Sequence, residues 1–210
     1  MSIQSRKNRK YELKARAESQ ERTRQRIAEA AAGLHEEVGP AETTVAEIAR
    51  RAGVSRLTVY KHFPDNGTLY PACSAHYLSK HPLPDFEGAL APEDPVARVR
   101  SVLDAVYAGW YRGSRRMMRN LQRDRRSDPA LDEFMQANSD AALGGLADAA
   151  TAGFELDGER AARMRSLLRV ALDFWTWERL TDEGMDDESA AELMTDAIAA
   201  IAGTGAAAAR

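Results

Sequence analysis

The sequence predicts an all-α protein, with an N-terminal three-helix helix-turn-helix head followed by a C-terminal helical bundle. Three observations support this fold class. Apolar residues recur at helical spacing, as at Ile27, Ala31 and Leu34. No stretch shows the β-branched alternation that is typical of a strand. Glycines and prolines, as in Gly39-Pro40, interrupt the pattern, and about nine helices fit between the interruptions.

Charge and proline content divide the chain into three parts. Residues 1–81 carry 14 Lys+Arg against 9 Asp+Glu, whereas residues 82–210 carry 15 against 23. A basic front on an acidic body is typical of nucleic-acid binders, although charge also fluctuates along any sequence. Four of the eight prolines fall within residues 81–95. We therefore divide the chain into an arm (1–17), a head (18–81) and a body (82–210).

Several functional classes receive no support from the sequence. Cys73 is the only cysteine, so the chain offers no internal disulfide and no Cys-based zinc cluster, and we predict no metal and no cofactor. No apolar run approaches the roughly 20 residues that span a bilayer, and no secretory signal is visible, so we expect a cytoplasmic protein without membrane contact. We also predict no enzyme, because the chain has no Gly-rich phosphate loop and no H-E-x-x-H run. The body has no histidine base, since all four histidines precede it: His35, His62, His76 and His81.

The arm and the first helix have opposite compositions. Residues 1–17 are polar and basic, and they predict a flexible arm. Its cations either contact phosphates or the minor groove, or belong to a plain disordered tail. The cations are Arg6, Lys7, Arg9 and Lys10. The first helix runs from about residue 18 to residue 38, where Gly39-Pro40 ends it.

Local capping signals mark the next three helices. Thr44 and Glu47 fit a capping box at the start of a helix of about eight residues, and Gly53 supplies the left-handed residue that ends it. Ser55 then caps a helix that continues to about Phe63. A fourth helix spans about 68–80, and Pro71 predicts that it starts late or kinks. In the body we predict helices at about 95–112, 114–126, 129–153, 158–182 and 186–203.

The head contains the motif that points most directly to a function. Residues 44–63 (TVAEIARRAGVSRLTVYKHF) combine a short helix, a turn with a glycine and a second short helix, which is the helix-turn-helix layout. The second helix leaves an outer polar face that can enter a major groove about 12 Å wide. That face consists of Ser55, Arg56, Thr58, Lys61 and His62.

These residues carry a resemblance to a known family. The segment Arg22–Tyr77 resembles the N-terminal domain of the tetracycline-repressor (TetR) family through RTRQRIAEAAAGLHEEVG and TTVAEIARRAGVSRLTVYKHFPDNGTLY. Leu172–Ala191 is more weakly similar to the final helix pair through which many members dimerise. The resemblance implies that residues 18–81 bind DNA and that residues 82–210 sense a ligand and dimerise.

The resemblance also implies roles for single residues in the head. The implied DNA-binding residues are Arg22, Arg24, Thr44, Ser55, Arg56, Leu57, Thr58, Tyr60, Lys61 and His62. Arg56 can read guanine or contact a phosphate, and Leu57 can touch a thymine methyl or be partly buried. Tyr60 is either a DNA contact or a structural aromatic. Asn66 departs from the family, which usually has a lysine near this point, so one phosphate contact is in doubt.

The body carries aromatic and methionine residues at helical spacing. Such residues usually form a core, but the family holds an effector pocket among its middle helices, and these side chains suit a medium-sized, largely apolar ligand. The candidate ligand-binding residues are Tyr107, Trp110, Tyr111, Met117, Met118, Leu121, Phe134, Phe154 and Phe174. Seven arginines between Arg112 and Arg126 form either a solvated face, or a site for an anionic ligand or for the head.

The last two long helices predict a two-fold dimer. Both are amphipathic, and a second exposed apolar stripe would be covered if two copies formed a four-helix interface. The candidate interface residues are Leu168, Trp175, Leu193, Ala197 and Ile201. Together these features predict a homodimeric regulator, normally a repressor, which a small effector releases from a palindromic double-stranded operator. The alternatives are a transcriptional activator of the same fold and a partner-binding helical scaffold without specific DNA binding.

Overall fold

The computed structural model describes the backbone of residues 3–203 and the side chains of residues 13–203. Over this part of the chain it is helical with no strand, so the predicted all-α class is confirmed. The helices are α1 (Ile3–Glu37), α2 (Val45–Ala52), α3 (Arg56–His62), α4 (Asn66–Lys80), α5 (Phe86–Ala89), α6 (Pro95–Val106), α7 (Arg112–Asp124), α8 (Pro129–Met135), α9 (Ala141–Ala150), α10 (Gly158–Ala171), α11 (Phe174–Asp182) and α12 (Asp187–Ala202). In the same part, no helix combines the length and apolarity needed to cross a bilayer.

The chain forms two compact units. The first comprises Met1–Lys80 together with Arg123–Phe134, and the second comprises His81–Gln122 and Met135–Arg210. The predicted boundary after residue 81 lies one residue from the observed one. The segment Arg123–Phe134 differs from the prediction, because it belongs with the head and not with the body.

Helix α1 is longer than the sequence analysis predicts. It begins at Ile3, so residues 3–17 are helical where we expected a flexible arm. Residues 1–32 contain no glycine or proline and are rich in Arg, Lys, Glu, Gln and Ala, all of which have good helix propensity. The polar and basic composition that predicts a flexible arm therefore also favours a helix. The side chains of Arg6, Lys7, Arg9 and Lys10 lie outside the described residues, as do Met1 and Ser2.

The first unit packs α2, α3 and α4 around the C-terminal half of α1. Its core is formed by small and branched side chains, which are Ile27, Ala28, Ala30, Ala31, Ala32, Leu34, Ile48, Ala49, Ala52, Val59, Phe63, Leu69 and Cys73. Burial raises the pKa of the Cys73 thiol to about 12, so this cysteine behaves as an apolar core residue. Helix α4 begins at Asn66 and contains Pro71 in its interior. Asp65 accepts a hydrogen bond from the Thr68 amide at 2.8 Å and thereby caps the start of α4.

The second unit differs from the predicted helix pattern at three points. Helices α6 and α7 are continuous through a π-helical turn (Tyr107–Tyr111), where we predicted a break between residues 112 and 114. The predicted helix 158–182 is instead split, because Asp173 accepts hydrogen bonds from the amides of Trp175 and Thr176 and so caps α11. The linker also contains the short helix α5, which Asp85 caps.

The core of the second unit lies where the π-helical turn meets α10 and α11. Tyr107 and Tyr111 are buried there, and their hydroxyls donate to the carbonyls of Ala171 and Leu172 at 2.6 Å each. These carbonyls lie at the end of α10, where no further helical amide is available to them. The two tyrosines therefore complete the C-terminus of α10 from inside the core.

Candidate nucleic-acid interface

The turn between α2 and α3 has the geometry that the motif requires. Gly53 has φ +65°, a left-handed conformation that residues with a side chain adopt at a cost. The Val54 amide donates to the Ala49 carbonyl at 3.0 Å, which closes the turn. Val54 itself is half-buried and packs against the core of the first unit. The predicted left-handed conformation of Gly53 is therefore observed.

The N-termini of both helices are capped as predicted, with one difference. The Thr44 hydroxyl accepts from the Glu47 amide at 3.2 Å, and Ser55 accepts from the Thr58 amide at 3.1 Å. The Glu47 carboxylate, however, pairs with the Arg50 guanidinium, with 3.0 Å between Arg50 Nε and Glu47 Oε2. Half of the predicted capping box is thus present. Because the Glu47–Arg50 pair is exposed to solvent, it contributes little to stability.

Helix α3 presents one face to solvent and buries the other. Val59 is 2% exposed and Phe63 is 3% exposed, and both belong to the core of the first unit. Leu57 is 79% exposed and Tyr60 is 53% exposed, which makes them unusual as large apolar or aromatic side chains on a surface. We call the outward set the recognition surface, and it consists of the exposed Ser55, Arg56, Leu57, Tyr60 and Lys61 with the half-buried Thr58 and His62.

The recognition surface combines charge with apolar contact area. Arg56 and Lys61 supply two positive charges on the exposed side of a helix of seven residues. The Ser55 and Thr58 hydroxyls lie 2.8 Å apart and share a hydrogen bond, so they are ordered before any partner arrives. The exposure of Leu57 and Tyr60 removes the alternative that either is a buried structural residue.

The two arginines predicted to contact DNA from α1 have different surroundings. Arg22 is exposed. Arg24, half-buried, donates from Nη1 to the His62 carbonyl at 3.0 Å. Its guanidinium carbon also lies 4.3 Å from the centre of the Phe63 ring. Arg24 therefore contacts the C-terminal end of α3.

Asp128 is an organising residue that the sequence analysis missed. Its Oδ1 accepts from the amides of Ala130 and Leu131 at 3.0 and 3.1 Å, which caps α8. Its Oδ2 accepts from the Tyr70 hydroxyl at 2.5 Å and from Asn66 Nδ2 at 3.2 Å. Asn66, which brings no charge for a phosphate, is thus used to hold the start of α4 to this segment. The Asp-Pro pair at 128–129 is a sequence signal for a helix start, but it does not reveal the two longer-range partners.

The neighbouring Asp124 closes the loop that follows α1. Asp124 is 4% exposed, and its Oδ2 accepts from the Ala41 amide at 3.0 Å. Arg123 donates from Nη2 to the Val38 carbonyl at 3.0 Å. Gly39, at φ +96°, leaves the space that both side chains occupy. The segment Arg123–Phe134 is therefore tied to both α1 and α4 within the first unit.

A family model matches the region whose geometry is described above. The model is described as bacterial regulatory proteins, tetR family, and it matches residues 27–73. Within these residues, the chain is similar to the tetR family. The matched residues include the turn at Gly53 and the whole of α3.

A known regulator is similar to this chain over part of its length. The HTH-type transcriptional regulator BetI of Yersinia pestis is 36% identical over 87 residues, which are 40% of this chain and 43% of that protein. The chain thus spans less than half the length of this curated relative.

Solved structures of known proteins share the fold over most of the chain. A TetR-like transcriptional regulator from Rhodococcus sp. RHA1 has a TM-score of 0.51 at 19% identity, covering 89% of this chain and 96% of that one. The multidrug binding protein EbrR, solved in complex with imidazole, has a TM-score of 0.54 at 24% identity, covering 82% of this chain and 87% of that one. At these identities the likeness concerns the fold alone.

All but one of the candidate ligand-binding residues lie in the second unit. The core of the second unit contains Tyr107, Tyr111, Met118 and Phe174, with the half-buried Trp110 and Phe154 packed against it. Tyr111 packs its ring edge against Phe174, with 5.3 Å between ring centres. Met117 is buried and Leu121 is half-buried in the same unit.

Phe134 is the exception among these candidates. It belongs to the first unit, where its ring centre lies 6.3 Å from that of Tyr70. Its predicted place in a ligand site with the other candidates stays a prediction. For Tyr107 and Tyr111, burial raises the pKa of both hydroxyls well above the ordinary range, and both already donate to carbonyls.

Three arginines of α7 are paired with carboxylates of the second unit. Arg112 forms two hydrogen bonds of 2.7 Å with Asp187. Glu178 is 5% exposed and pairs with Arg115 at 3.3 Å and Arg119 at 2.7 Å. These three arginines join α7 to α11 and α12, which neither predicted alternative describes. Arg123 of the same run contacts the head instead, through the Val38 carbonyl, as one alternative predicted.

Two acidic residues of the second unit have structural roles. Asp173 caps α11, and Glu178 holds the two arginines of α7. Within residues 13–203, no group of three or more His, Cys, Asp or Glu side chains is arranged to hold a metal ion.

The candidate dimer residues divide between the core and the surface. Leu168 is 0% exposed in the core of its own chain, so its predicted place at a dimer interface is wrong. Trp175 and Leu193 are 38% and 42% exposed. Ala197 is exposed and Ile201 is half-buried. Val170, which is 54% exposed, was not among the predicted interface residues.

Proposed function

We propose that this chain is a homodimeric, DNA-binding transcriptional regulator. The observation that carries the proposal is the recognition surface. It is formed by a short helix that Ser55 caps, and its outer face holds two cations and two exposed large side chains. Such a helix fits the major groove, where Arg56 can donate to guanine and Leu57 can contact a thymine methyl. Tyr60, Lys61 and the exposed Arg22 and Thr44 contact phosphates, which fix the position of the helix but read no sequence.

Binding to duplex DNA tests this proposal directly. We expect salt-dependent binding, and the slope of log K against log salt should fall by about 0.9 for each phosphate that a variant no longer neutralises. Lys61→Ala should reduce that slope and weaken binding to all sequences. Arg56→Ala should cost roughly 1–3 kcal/mol on the selected site and relax sequence preference there. Arg165→Ala, which removes an exposed arginine of the second unit, is the matched control and should bind as the parent protein does.

The dimer is supported by exposed apolar side chains on the last three helices. Val170, Trp175 and Leu193 are 54%, 38% and 42% exposed, and large apolar side chains on a surface mark interaction sites when they cluster. A two-fold dimer would hold two recognition helices roughly 34–36 Å apart and would select a palindromic operator. In analytical ultracentrifugation, Leu193→Glu should give a monomer. Leu83→Glu, at a leucine that is 52% exposed outside these helices, should leave the dimer intact.

The regulatory part of the proposal is repression relieved by a small, largely apolar effector. An effector that binds the body only in one dimer arrangement shifts the population away from the DNA-binding arrangement. EbrR is a multidrug binding protein with the same fold, which supports a ligand role for the second unit. Trp110→Ala should weaken the effector response and leave DNA binding without effector nearly unchanged.

The results also separate the two alternatives. A helical scaffold predicts no salt-dependent, sequence-selective binding to duplex DNA. A transcriptional activator predicts the same binding as a repressor, but loss of the protein would lower expression from the adjacent promoter instead of raising it.

A further inference from the structure

Helix α3 is too short to hold its own position. It has seven residues, so nearly all of its backbone groups belong to the first or last turn and lack a partner within the helix. Helices of this length are not stable alone, and tertiary contacts decide where they lie. The N-terminal end is fixed by the Ser55 cap and by the turn at Val54. The C-terminal end needs a second attachment.

Arg24 of α1 supplies that second attachment. Its Nη1 donates to the carbonyl of His62, the last residue of α3, at 3.0 Å. Its guanidinium carbon lies 4.3 Å from the centre of the Phe63 ring, a cation–π contact with a side chain that is 3% exposed. Phe63 is also the residue whose amide donates to Val59 at 2.8 Å and ends the helix. One side chain thus fixes both the last carbonyl of α3 and the residue that follows.

We propose that Arg24 is a positioning residue that fixes the C-terminal end of the recognition helix, and not a contact to DNA phosphate. To reach a phosphate, its guanidinium would have to give up a carbonyl and an aromatic ring that it already contacts. Tyr60 and Lys61 lie in the turn that Arg24 holds, so Arg24 acts on DNA through them. This inference rests on the proposed function for its effect on DNA affinity, but the attachment itself can be measured without DNA.

A neighbouring arginine of α1 offers a matched control for Arg24. Arg22 lies two residues earlier on the same helix, is exposed and is the phosphate contact proposed above. Lysine keeps the charge of either residue but lacks the planar group that stacks on a ring. A phosphate contact therefore tolerates lysine, whereas the attachment to His62 and Phe63 does not.

The test compares Arg24→Ala, Arg24→Lys, Arg22→Ala and Arg22→Lys in the full chain. We expect both Arg24 variants to bind the selected duplex about tenfold more weakly, the effect of losing a charge-assisted hydrogen bond, with the salt slope of the parent protein. Arg22→Ala should reduce the slope by about 0.9, and Arg22→Lys should restore it. If Arg24→Lys binds like the parent while Arg24→Ala reduces the slope, Arg24 is a phosphate contact and the proposal is overturned. Unchanged affinity in both Arg24 variants also overturns it.

Amide hydrogen exchange provides the readout without DNA. The Phe63 amide reports the end of α3, and the Ile48 amide, which donates to Thr44 at 3.0 Å, reports α2. In both Arg24 variants we expect about tenfold faster exchange at Phe63 with Ile48 unchanged. Equal acceleration at both amides would mean a general loss of stability and would overturn the positioning role, as would no change at Phe63. If the parent protein binds no duplex DNA, the proposed function fails, and this exchange measurement alone decides the role of Arg24.

Discussion

His35 makes the stability of the first unit depend on pH. It lies near the end of α1 and is 4% exposed, with its ring centre 5.7 Å from that of Tyr70. Burial lowers the pKa of His35 from 6.5 to about 4, although the nearby carboxylates of Asp124 and Asp128 act in the opposite direction. The folded protein therefore holds the imidazole neutral at pH values where the unfolded chain protonates it.

The sign and size of the effect follow from this shift. Between pH 6.5 and about 4 the unfolded chain binds more protons than the folded protein, so stability falls as the pH falls through this range. From about pH 7.5 to about pH 5, a group with these two pKa values loses about 2 kcal/mol of unfolding free energy. Asp128 does not oppose this loss. Burial alone would raise its pKa, but the hydrogen bonds that it accepts from Tyr70 and from backbone amides lower the pKa below 3.8, so it stays ionised.

The assay is urea denaturation followed by far-UV circular dichroism across this pH range. His35→Gln should abolish most of the pH dependence, whatever its effect on stability at neutral pH. His76→Gln is the matched control, since it replaces a partly exposed histidine of α4, and it should retain the dependence of the parent protein. A His35→Gln variant that loses as much stability on acidification as the parent would refute the assignment to His35.

Two further perturbations have matched controls, and a third removes a single buried hydrogen bond. Glu178→Gln should cost about 1–3 kcal/mol of unfolding free energy, because it removes the buried charge that pairs with two arginines of α7. Its control, Glu159→Gln at an exposed pair, should cost less than about 1 kcal/mol. Equal losses in the two variants would contradict the role of burial. Gly39→Ala should lower the melting temperature strongly, since a Cβ at φ +96° would collide with the side chains of Arg123 and Asp124. Its control, Gly113→Ala, adds a Cβ in an open helix interior and should stabilise the protein by about 0.5–1 kcal/mol. Tyr111→Phe should cost about 1–3 kcal/mol by leaving a buried carbonyl without its donor, measured by urea denaturation, and an unchanged stability would mean that the hydroxyl contributes nothing.

The head could be predicted from the sequence where its structure depends on local chemistry. Gly53 and Ser55 act through backbone groups a few residues away, and such caps can be recognised in any sequence. The division of α3 into a buried Val59 and an exposed outer face likewise follows from helical periodicity. For the same reason, the boundaries of α2 and α3 agree with their predicted positions to within one residue.

The predictions failed where one signal supported two interpretations. The basic composition of residues 3–17 indicated a flexible arm, but the same residues favour a helix, and nothing in their sequence ends one. Asp173 lies within the single helix that we predicted at 158–182, although an aspartate is also a strong helix cap. Once it starts a new helix, Trp177 turns into the core and Trp175 toward solvent, where they are 0% and 38% exposed.

The remaining features depend on partners that are distant in the sequence. Arg24 and His62 are 38 residues apart, and Tyr70 and Asp128 are 58 apart. No local pattern connects such residues, so the sequence could identify Arg24 as a cation near the head but not its attachment to α3. The grouping of Phe134 with the first unit has the same origin, because it follows from the bonds of Asp128.

The central claim is that the recognition surface reads the sequence of duplex DNA, and selection from a random duplex library tests it most directly. The account predicts that the parent protein enriches a palindromic site whose halves are centred about one helical turn apart. It also predicts that Arg56→Ala loses preference at defined positions within each half. The account is contradicted if the parent protein enriches no site. It is also contradicted if Arg56→Ala, and a variant in which Leu57 and Lys61 are replaced as well, select the same site as strongly as the parent protein does.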